Sequence, residues 1–263
     1  MTTTNQFFWY ELMTSDHEAA QAFYAKVVGW KLAQFPADGH PYTVLEVAGG
    51  RGIGGIMPIP PEAAAGGMQS HWVGYVHVAD LDAAVDKLKG GGGTVHHILP
   101  PIPQVGWIAV CADPQGAMFN LLQPDGPDQA PLPMGSAGGT DWHELHASDQ
   151  GKALAFYSGQ FGWSGTGDMD MGPIGKYQFF AMAPAPEGAE CGITCGAMYN
   201  DAQAPHPYWL FYFHVDAIDA AIERIKANGG QINEGPAEVL GGLWIVNATD
   251  PQGAMFALVA PKR

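Results

Sequence analysis

Asp113-Pro114-Gln115-Gly116-Ala117-Met118-Phe119 is repeated, residue for residue, as Asp250-Pro251-Gln252-Gly253-Ala254-Met255-Phe256. The copies stand 137 positions apart (250 − 113), each near the end of one half of the 263-residue chain. Working outward, the repeat continues. Trp9-Tyr10-Glu11-Leu12 answers Trp142-His143-Glu144-Leu145, Ala22-Phe23-Tyr24 answers Ala155-Phe156-Tyr157, and Gly29-Trp30 answers Gly162-Trp163. His77-Val78 answers His214-Val215, Gly92-Gly93 answers Gly229-Gly230, and Trp107 answers Trp244. A period this long exceeds the roughly 20–50 residues of a solenoid repeat, so the chain is a duplication of whole domains. Every residue then has a twin against which it can be weighed.

Two domains of roughly 125 residues fit the usual domain size. The expected division is domain one over 1–126, a linker over 127–136 and domain two over 137–263. The Pro- and Gly-rich run from Pro124 to Gly135 carries no apolar periodicity and reads as that connection. Within domain one, Phe7–Met13 reads as a strand. Ser15-Asp16 offers helix-capping oxygens, Ala20, Phe23, Tyr24, Val27 and Val28 follow at helical spacing, and Gly29 stops the helix. Strands follow near Trp30–Phe35, Tyr42–Val47 and Ile53–Met57. The order restarts with Val73–Val78, a helix from Asp80 to Lys89, and strands near Val95–Ile98, Trp107–Cys111 and Ala117–Leu122. The second half repeats it, with helices near Gln150–Gln160 and Ala217–Ala227. The expected fold is α+β: two tandem domains, each a curved eight-stranded mixed sheet from paired βαβββ modules.

Twenty-six acidic against 11 basic residues give a net charge of −15. Phosphate and anionic-membrane binding need clustered Lys and Arg, so neither nucleic acid nor a membrane is an expected partner. No apolar run reaches the roughly 18 residues of a membrane span. The N-terminus lacks a basic start followed by an apolar run, so a cytoplasmic protein is expected. Three cysteines, Cys111, Cys191 and Cys195, make no disulfide framework and read as small core residues. A monomer or homodimer acting on a small molecule is the expected assembly.

The paired βαβββ pattern, the helices ending Ala22-Phe23-Tyr24…Gly29-Trp30 and Ala155-Phe156-Tyr157…Gly162-Trp163, and the Asp-Pro-Gln-Gly turn before each last strand together resemble the vicinal oxygen chelate superfamily. That group includes glyoxalase I, bleomycin-resistance proteins and extradiol dioxygenases, and the likeness is nearest to its tandem, glyoxalase-like branch. The resemblance implies a metal held inside a cup, with His or Gln on the opening strands and Glu after the Asp-Pro-x-Gly turn. The matching positions are Trp9, Val73, Asn120, Trp142, Leu210 and Ala257. Asn is a weak neutral donor and the others offer a divalent ion nothing. No metal is expected at the family positions.

Strand side chains alternate in direction. From Trp142 and Leu210, alternation aims Glu144, His146, Tyr212 and His214 into one cavity; from Trp9 and Val73 the first half offers Glu11, Met13, Tyr75 and His77. Met13 stands opposite His146, so the second half holds the fuller set. Two imidazoles and a carboxylate suit acid–base work, or a displaced divalent metal at Glu144, His146 and His214. Glu144, His146 and His214 are the catalytic candidates; Trp142, Tyr212, Glu11, Tyr75 and His77 are the substrate-binding ones. The tryptophans Trp9, Trp107, Trp142 and Trp244 suit either a planar ligand or the core. His96, His97 and His206 read as solvated or loop histidines, His71 as a rim residue just before a strand, and His143 as facing away. Gly49-Gly50-Arg51-Gly52 leads into a strand and reads as a hairpin turn, because a phosphate cradle needs a following helix. Three functions stay open: a lyase, isomerase, hydrolase or hydroxylase; a sequestering protein of bleomycin-resistance type; and a protein whose cups are filled by side chains, where Glu–Tyr–His networks only rigidify the core.

Overall fold

The computed structural model describes residues 3–35, 41–127, 129–184 and 192–263. Cys191, and Asp128 of the expected linker, lie outside them. The first half runs β1 (Phe7–Thr14), α1 (His17–Val27), β2 (Lys31–Phe35), β3 (Tyr42–Val47), β4 (Arg51–Pro58), α2 (Pro61–Ala65), β5 (His71–His77), α3 (Leu81–Gly90), β6 (Thr94–Ile98), β7 (Gly106–Ala112) and β8 (Met118–Pro124). The second runs β9 (Thr140–Ala147), α4 (Gln150–Phe161), β10 (Ser164–Asp170), β11 (Lys176–Ala181), β12 (Gly196–Asn200), β13 (Tyr208–His214), α5 (Ile218–Ala227), β14 (Gln231–Val239), β15 (Leu243–Thr249) and β16 (Met255–Ala260). The strands make two eight-stranded mixed sheets of order β2-β3-β4-β1-β5-β8-β7-β6 and β10-β11-β12-β9-β13-β16-β15-β14. This is the α+β architecture that the sequence pattern predicts.

Capping explains where three helices start. Asp16, Asp80 and Asp149 are extended residues whose carboxylates accept from the amides of Ala19, Ala83 and Lys152. That satisfies a first-turn N–H left without an intrahelical partner. Gly162 ends α4 in the left-handed region at φ +77°, which a side chain at that position would strain. The short helix α2 has no apolar periodicity, and the sequence pattern does not announce it. His96 and His97 lie within β6, not beside it, and both are exposed. A bulge between Val95 and His97 breaks the alternation there. His71 is the first residue of β5.

By contact the chain divides into two compact units. One holds Met1–Phe8, Gly74–Pro131 and Trp142–Trp209; the other holds Trp9–Val73, Leu132–Asp141 and Leu210–Arg263. Each unit therefore gathers a module from each half of the sequence. The two repeated motifs account for this, because within each unit they bond to each other. In the first unit the Tyr157 hydroxyl donates to Asp113 Oδ2 at 3.2 Å, and Trp209 donates to the Tyr157 oxygen at 3.0 Å. In the second, Tyr24 donates to Asp250 Oδ2 at 3.0 Å and Trp72 to Tyr24 at 2.9 Å. The other carboxylate oxygen of each Asp holds its own turn, taking the amides of Gln115 and Ala117, or of Gln252 and Ala254. The turn glycines, Gly116 and Gly253, sit at φ +97° and +96°, where Gly is favoured. Burial raises both Asp carboxyls despite those hydrogen bonds, and burial with the Asp charge raises both tyrosines well above their ordinary value.

His143 faces away from Glu144, as strand alternation requires. It is buried in the first unit, its ring stacked on Phe7 at 5.4 Å and 6°, with Nδ1 3.0 Å from the Cys195 carbonyl. Burial lowers its pKa from 6.5 to about 4. The sign follows. The unfolded chain takes this proton first, so the neutral ring's stabilisation is present above pH 6.5 and is lost as pH falls toward 4. The loss is at most roughly 3 kcal/mol over that span. Thermal melts should show wild-type protein losing stability between pH 6.5 and 4.5 more steeply than a His143→Gln variant. Parallel slopes would contradict the assignment.

Candidate functional site

Strand β9 carries Trp142, Glu144 and His146 on one face. In the parallel pair β9–β12, Ala197 lies opposite Glu144 and Tyr199 opposite His146. The side chains join in a chain of hydrogen bonds inside the first unit. The Trp142 indole N–H donates to the Tyr177 hydroxyl at 3.1 Å, and Tyr177 donates to Glu144 Oε2. Glu144 Oε1 meets His146 Nε2 at 3.1 Å. The other imidazole nitrogen, Nδ1, lies 2.8 Å from Asp201 Oδ2 and 2.8 Å from the Tyr199 hydroxyl. Tyr208 stacks on the imidazole, centroids 4.2 Å apart and planes 16° apart. Asp201 follows β12 directly, and its Oδ1 takes the amides of Gln203 and Ala204 at 2.9 and 3.2 Å, which fixes the carboxylate's direction.

The electrostatics favour an imidazolium. Burial alone would lower the His146 pKa, but the hydrogen bonds and charges of Glu144 and Asp201 outweigh it and raise it above 6.5. Asp201 answers in the opposite sense: its partial burial acts upward, yet the bond to His146 brings it below the usual carboxylate range. The stabilisation linked to His146 is therefore whole below pH 6.5 and lost as pH rises through its folded value. Tyr177, Tyr199 and Tyr208 are all raised, by burial first and then by carboxylate charge, so each is a neutral phenol near pH 7.

The first half supplies a control. There Trp9 donates to Tyr42 at 3.0 Å, and Tyr42 hydrogen-bonds Glu11. The Trp–Tyr–Glu series is thus duplicated, but it ends at Met13. Met13 lies opposite Met57, as His146 lies opposite Tyr199. Ile59 bonds back to Thr14 as Asp201 bonds back to Ala147, so Ile59 stands where the second half has Asp201. The polar extension beyond Glu144 belongs to the second half alone.

Glu144 and His146 belong to the first unit, whereas Tyr212 and His214, expected in the same cavity, belong to the second. His214 Nδ1 meets Asp141 Oδ2 at 2.6 Å, and its twin His77 meets the Thr3 hydroxyl at 2.9 Å. Tyr75 and Tyr212 are buried, in register with Asn120 and Ala257 respectively. Trp107 is 39% exposed, and Trp244 lies under the Arg263 guanidinium at 5.3 Å. Burial pushes the Cys111 and Cys195 thiols up to about 12, so neither is a thiolate nucleophile at neutral pH. Sequence reasoning missed Tyr177, Tyr199, Asp201 and Tyr208. A cleft of about 610 Å³, lined by Lys87, Pro114, Gln115, Lys152 and Phe156 among others, shares no residue with this cluster.

The comparisons with known proteins agree with the fold. The sequence matches the Glyoxalase/Bleomycin resistance protein/Dioxygenase superfamily over residues 6–121 and again over 139–258. The chain belongs to that superfamily. Among its relatives is CFP32 of Mycobacterium tuberculosis, whose name proposes a glyoxylase; the two are 31% identical over 96% of this chain and 94% of CFP32. The anthracycline biosynthesis protein DauV of Streptomyces sp. (strain C5) is 26% identical over 95% of this chain and 91% of its own. Similar solved structures include the Mn(II)-bound glyoxalase from Novosphingobium aromaticivorans, with TM-score 0.67 and 16% identity over 99% of this chain and 83% of that one. The 2,3-dioxygenase LapB from Pseudomonas sp. KL28 has TM-score 0.68 and 13% identity, over 99% and 93%.

The residues at the superfamily's metal positions do not fit a divalent cation. Trp9 and Trp142 present indole N–H groups already given to Tyr42 and Tyr177. Val73, Leu210 and Ala257 are buried hydrocarbon. Asn120 Oδ1, buried and accepting no hydrogen bond among the described residues, is a single neutral oxygen. No set of charged or imidazole donors is assembled from these six side chains.

Proposed function

We propose that this protein is a small-molecule enzyme of the glyoxalase-like superfamily whose acid–base chemistry runs in the second-half cluster at Glu144 and His146; His214, held by Asp141, is a separate candidate imidazole. The reaction is of lyase, isomerase, hydrolase or hydroxylase type. One observation carries the reading: an imidazole clasped by two carboxylates, Glu144 and Asp201, where the duplicated first half has Met13 and Ile59. A charged imidazole held by carboxylates is a proton reservoir, and its cost in burial is hard to explain by packing alone. Names of relatives that point to a glyoxylase and to anthracycline biosynthesis support a small organic substrate. In this reading no metal is bound at Trp9, Val73, Asn120, Trp142, Leu210 or Ala257. A divalent ion on Glu144 and His146 is the alternative cofactor, and it would have to displace the protons that tie His146 to Glu144 and Asp201.

A second reading has its own support. Trp142, Phe179, Tyr177 and Tyr199 form a half-buried aromatic run, with neighbouring centroids 6.1, 5.6 and 5.8 Å apart. Such a run suits sequestration of a planar compound without chemistry, with Trp142 as a binding residue in either case. Incubating the purified protein with a metabolite panel, and following products and retained compounds by mass spectrometry, separates the two. New products that disappear in a Glu144→Gln variant support the enzyme; compounds retained unchanged support sequestration.

A further inference from the structure

The hydrogen-bond geometry around His146 leaves the imidazole nothing to offer a ligand. Nε2 is spent on Glu144, Nδ1 is spent between Asp201 and Tyr199, one ring face lies under Tyr208, and the residue is 6% exposed. Of the groups it touches, Glu144 is itself buried and takes the Tyr177 hydroxyl, while Asp201 has one oxygen tied to two amides. Tyr199 differs. It is half-buried, on β12 opposite His146, and its oxygen lies 2.8 Å from Nδ1.

Hydrogen accounting then assigns the phenolic proton. With Nδ1 protonated, the N–H points at the Tyr199 oxygen and Asp201 Oδ2, and the oxygen accepts. The Tyr199 hydrogen cannot also point back along that line. Its remaining acceptor in the cluster is Asp201 Oδ2 at 3.4 Å, well beyond the roughly 2.7 Å of a good O–H···O bond. So long a bond is weak, and the hydrogen can leave it for a ligand oxygen. In the first half the same position is Met57, which has no proton to give.

We propose that Tyr199 is the group that meets the ligand, giving a proton from its hydroxyl to a ligand oxygen, and that His146 is a positioning residue acting through it. The proposal rests on the acid–base reading of this cluster. The step balances. The Tyr199 O–H bond breaks, a ligand O–H bond forms, and the phenolate left behind takes the Nδ1 proton of His146. The imidazole remains neutral with its Nε2 proton directed at Glu144, and a proton from water at the partly exposed Asp201 carboxylate restores its charge. The phenol's pKa, raised by burial and carboxylate charge, fits a group that begins each cycle protonated and needs the imidazolium to let go.

The test uses 4-nitrophenol, whose phenol and phenolate absorb differently, as the probe for an oxygen ligand. Equilibrium titrations would compare wild-type protein with Tyr199→Phe, His146→Ala and Met57→Leu, the last a first-half control. Nitrogen-15 NMR of His146 serves as a second readout. The expected result is a loss of affinity of roughly tenfold or more in Tyr199→Phe, while His146 keeps both ring protons and Met57→Leu binds as wild type. Wild-type affinity in Tyr199→Phe combined with a loss in His146→Ala would overturn Tyr199 but leave the acid–base cluster standing. Unchanged affinity in both variants, or no saturable binding by wild type, would overturn both.

Discussion

His146→Ala is expected to lower turnover by on the order of 10²-fold or more, the usual scale for losing a group in a proton-transfer chain. His214→Ala is expected to do the same, and His77→Ala much less. The asymmetry has a physical source. His146 and His214 each hold a carboxylate, Asp201 and Asp141, at 2.8 and 2.6 Å. His77 bonds the hydroxyl of Thr3, and the position matching His146 is Met13, whose thioether cannot move a proton. Steady-state kinetics on the three variants, with folding checked by thermal melts, is the measurement. A crippled His77 variant beside normal turnover in both second-half variants would assign the site to the first half.

Trp163→Ala is expected to destabilise the protein by about 3–5 kcal/mol, the range for deleting a large buried aromatic ring. Trp163 is 2% exposed and lies between two other rings. It stacks on Tyr157 at 5.0 Å and 11°, and on Phe180 at 5.2 Å and 5°. Its indole N–H donates to the Asn5 carbonyl at 2.6 Å. The variant thus opens a cavity, orphans a carbonyl and loosens Tyr157, which is the partner of the Asp113 turn. Urea unfolding should show the midpoint falling accordingly; a loss under about 1 kcal/mol would mean the aromatic stack is not what holds the motifs together.

The fold was legible because its determinants are local or repeated. Asp16 and Gly29 bracket a helix by capping chemistry that any short window displays, and the Asp-Pro-Gln-Gly turn is visible twice. What the turn does was not legible. Its bond to Tyr157 or Tyr24 joins residues 44 or 226 positions apart, which no periodicity reports. Glu144 and His146 were legible as same-face neighbours on one strand. Tyr199, Asp201 and Tyr208 were not, because they reach His146 from β12, the residue after it, and β13. Twin comparison favours what survives duplication, and these positions diverged: Met57, Ile59 and His71 stand in their places. The one divergence that did signal the site was Met13 against His146, since it exchanges a thioether for a titratable ring.

In the second-half cluster, Glu144 and Asp201 favour the charged form of His146. Nitrogen-15 NMR of the His146 ring across pH 5–9 tests it directly. The midpoint should lie above the ordinary 6.5, and it should fall in Asp201→Asn and in Glu144→Gln. A wild-type midpoint at or below 6.5, unmoved by either substitution, would contradict the account.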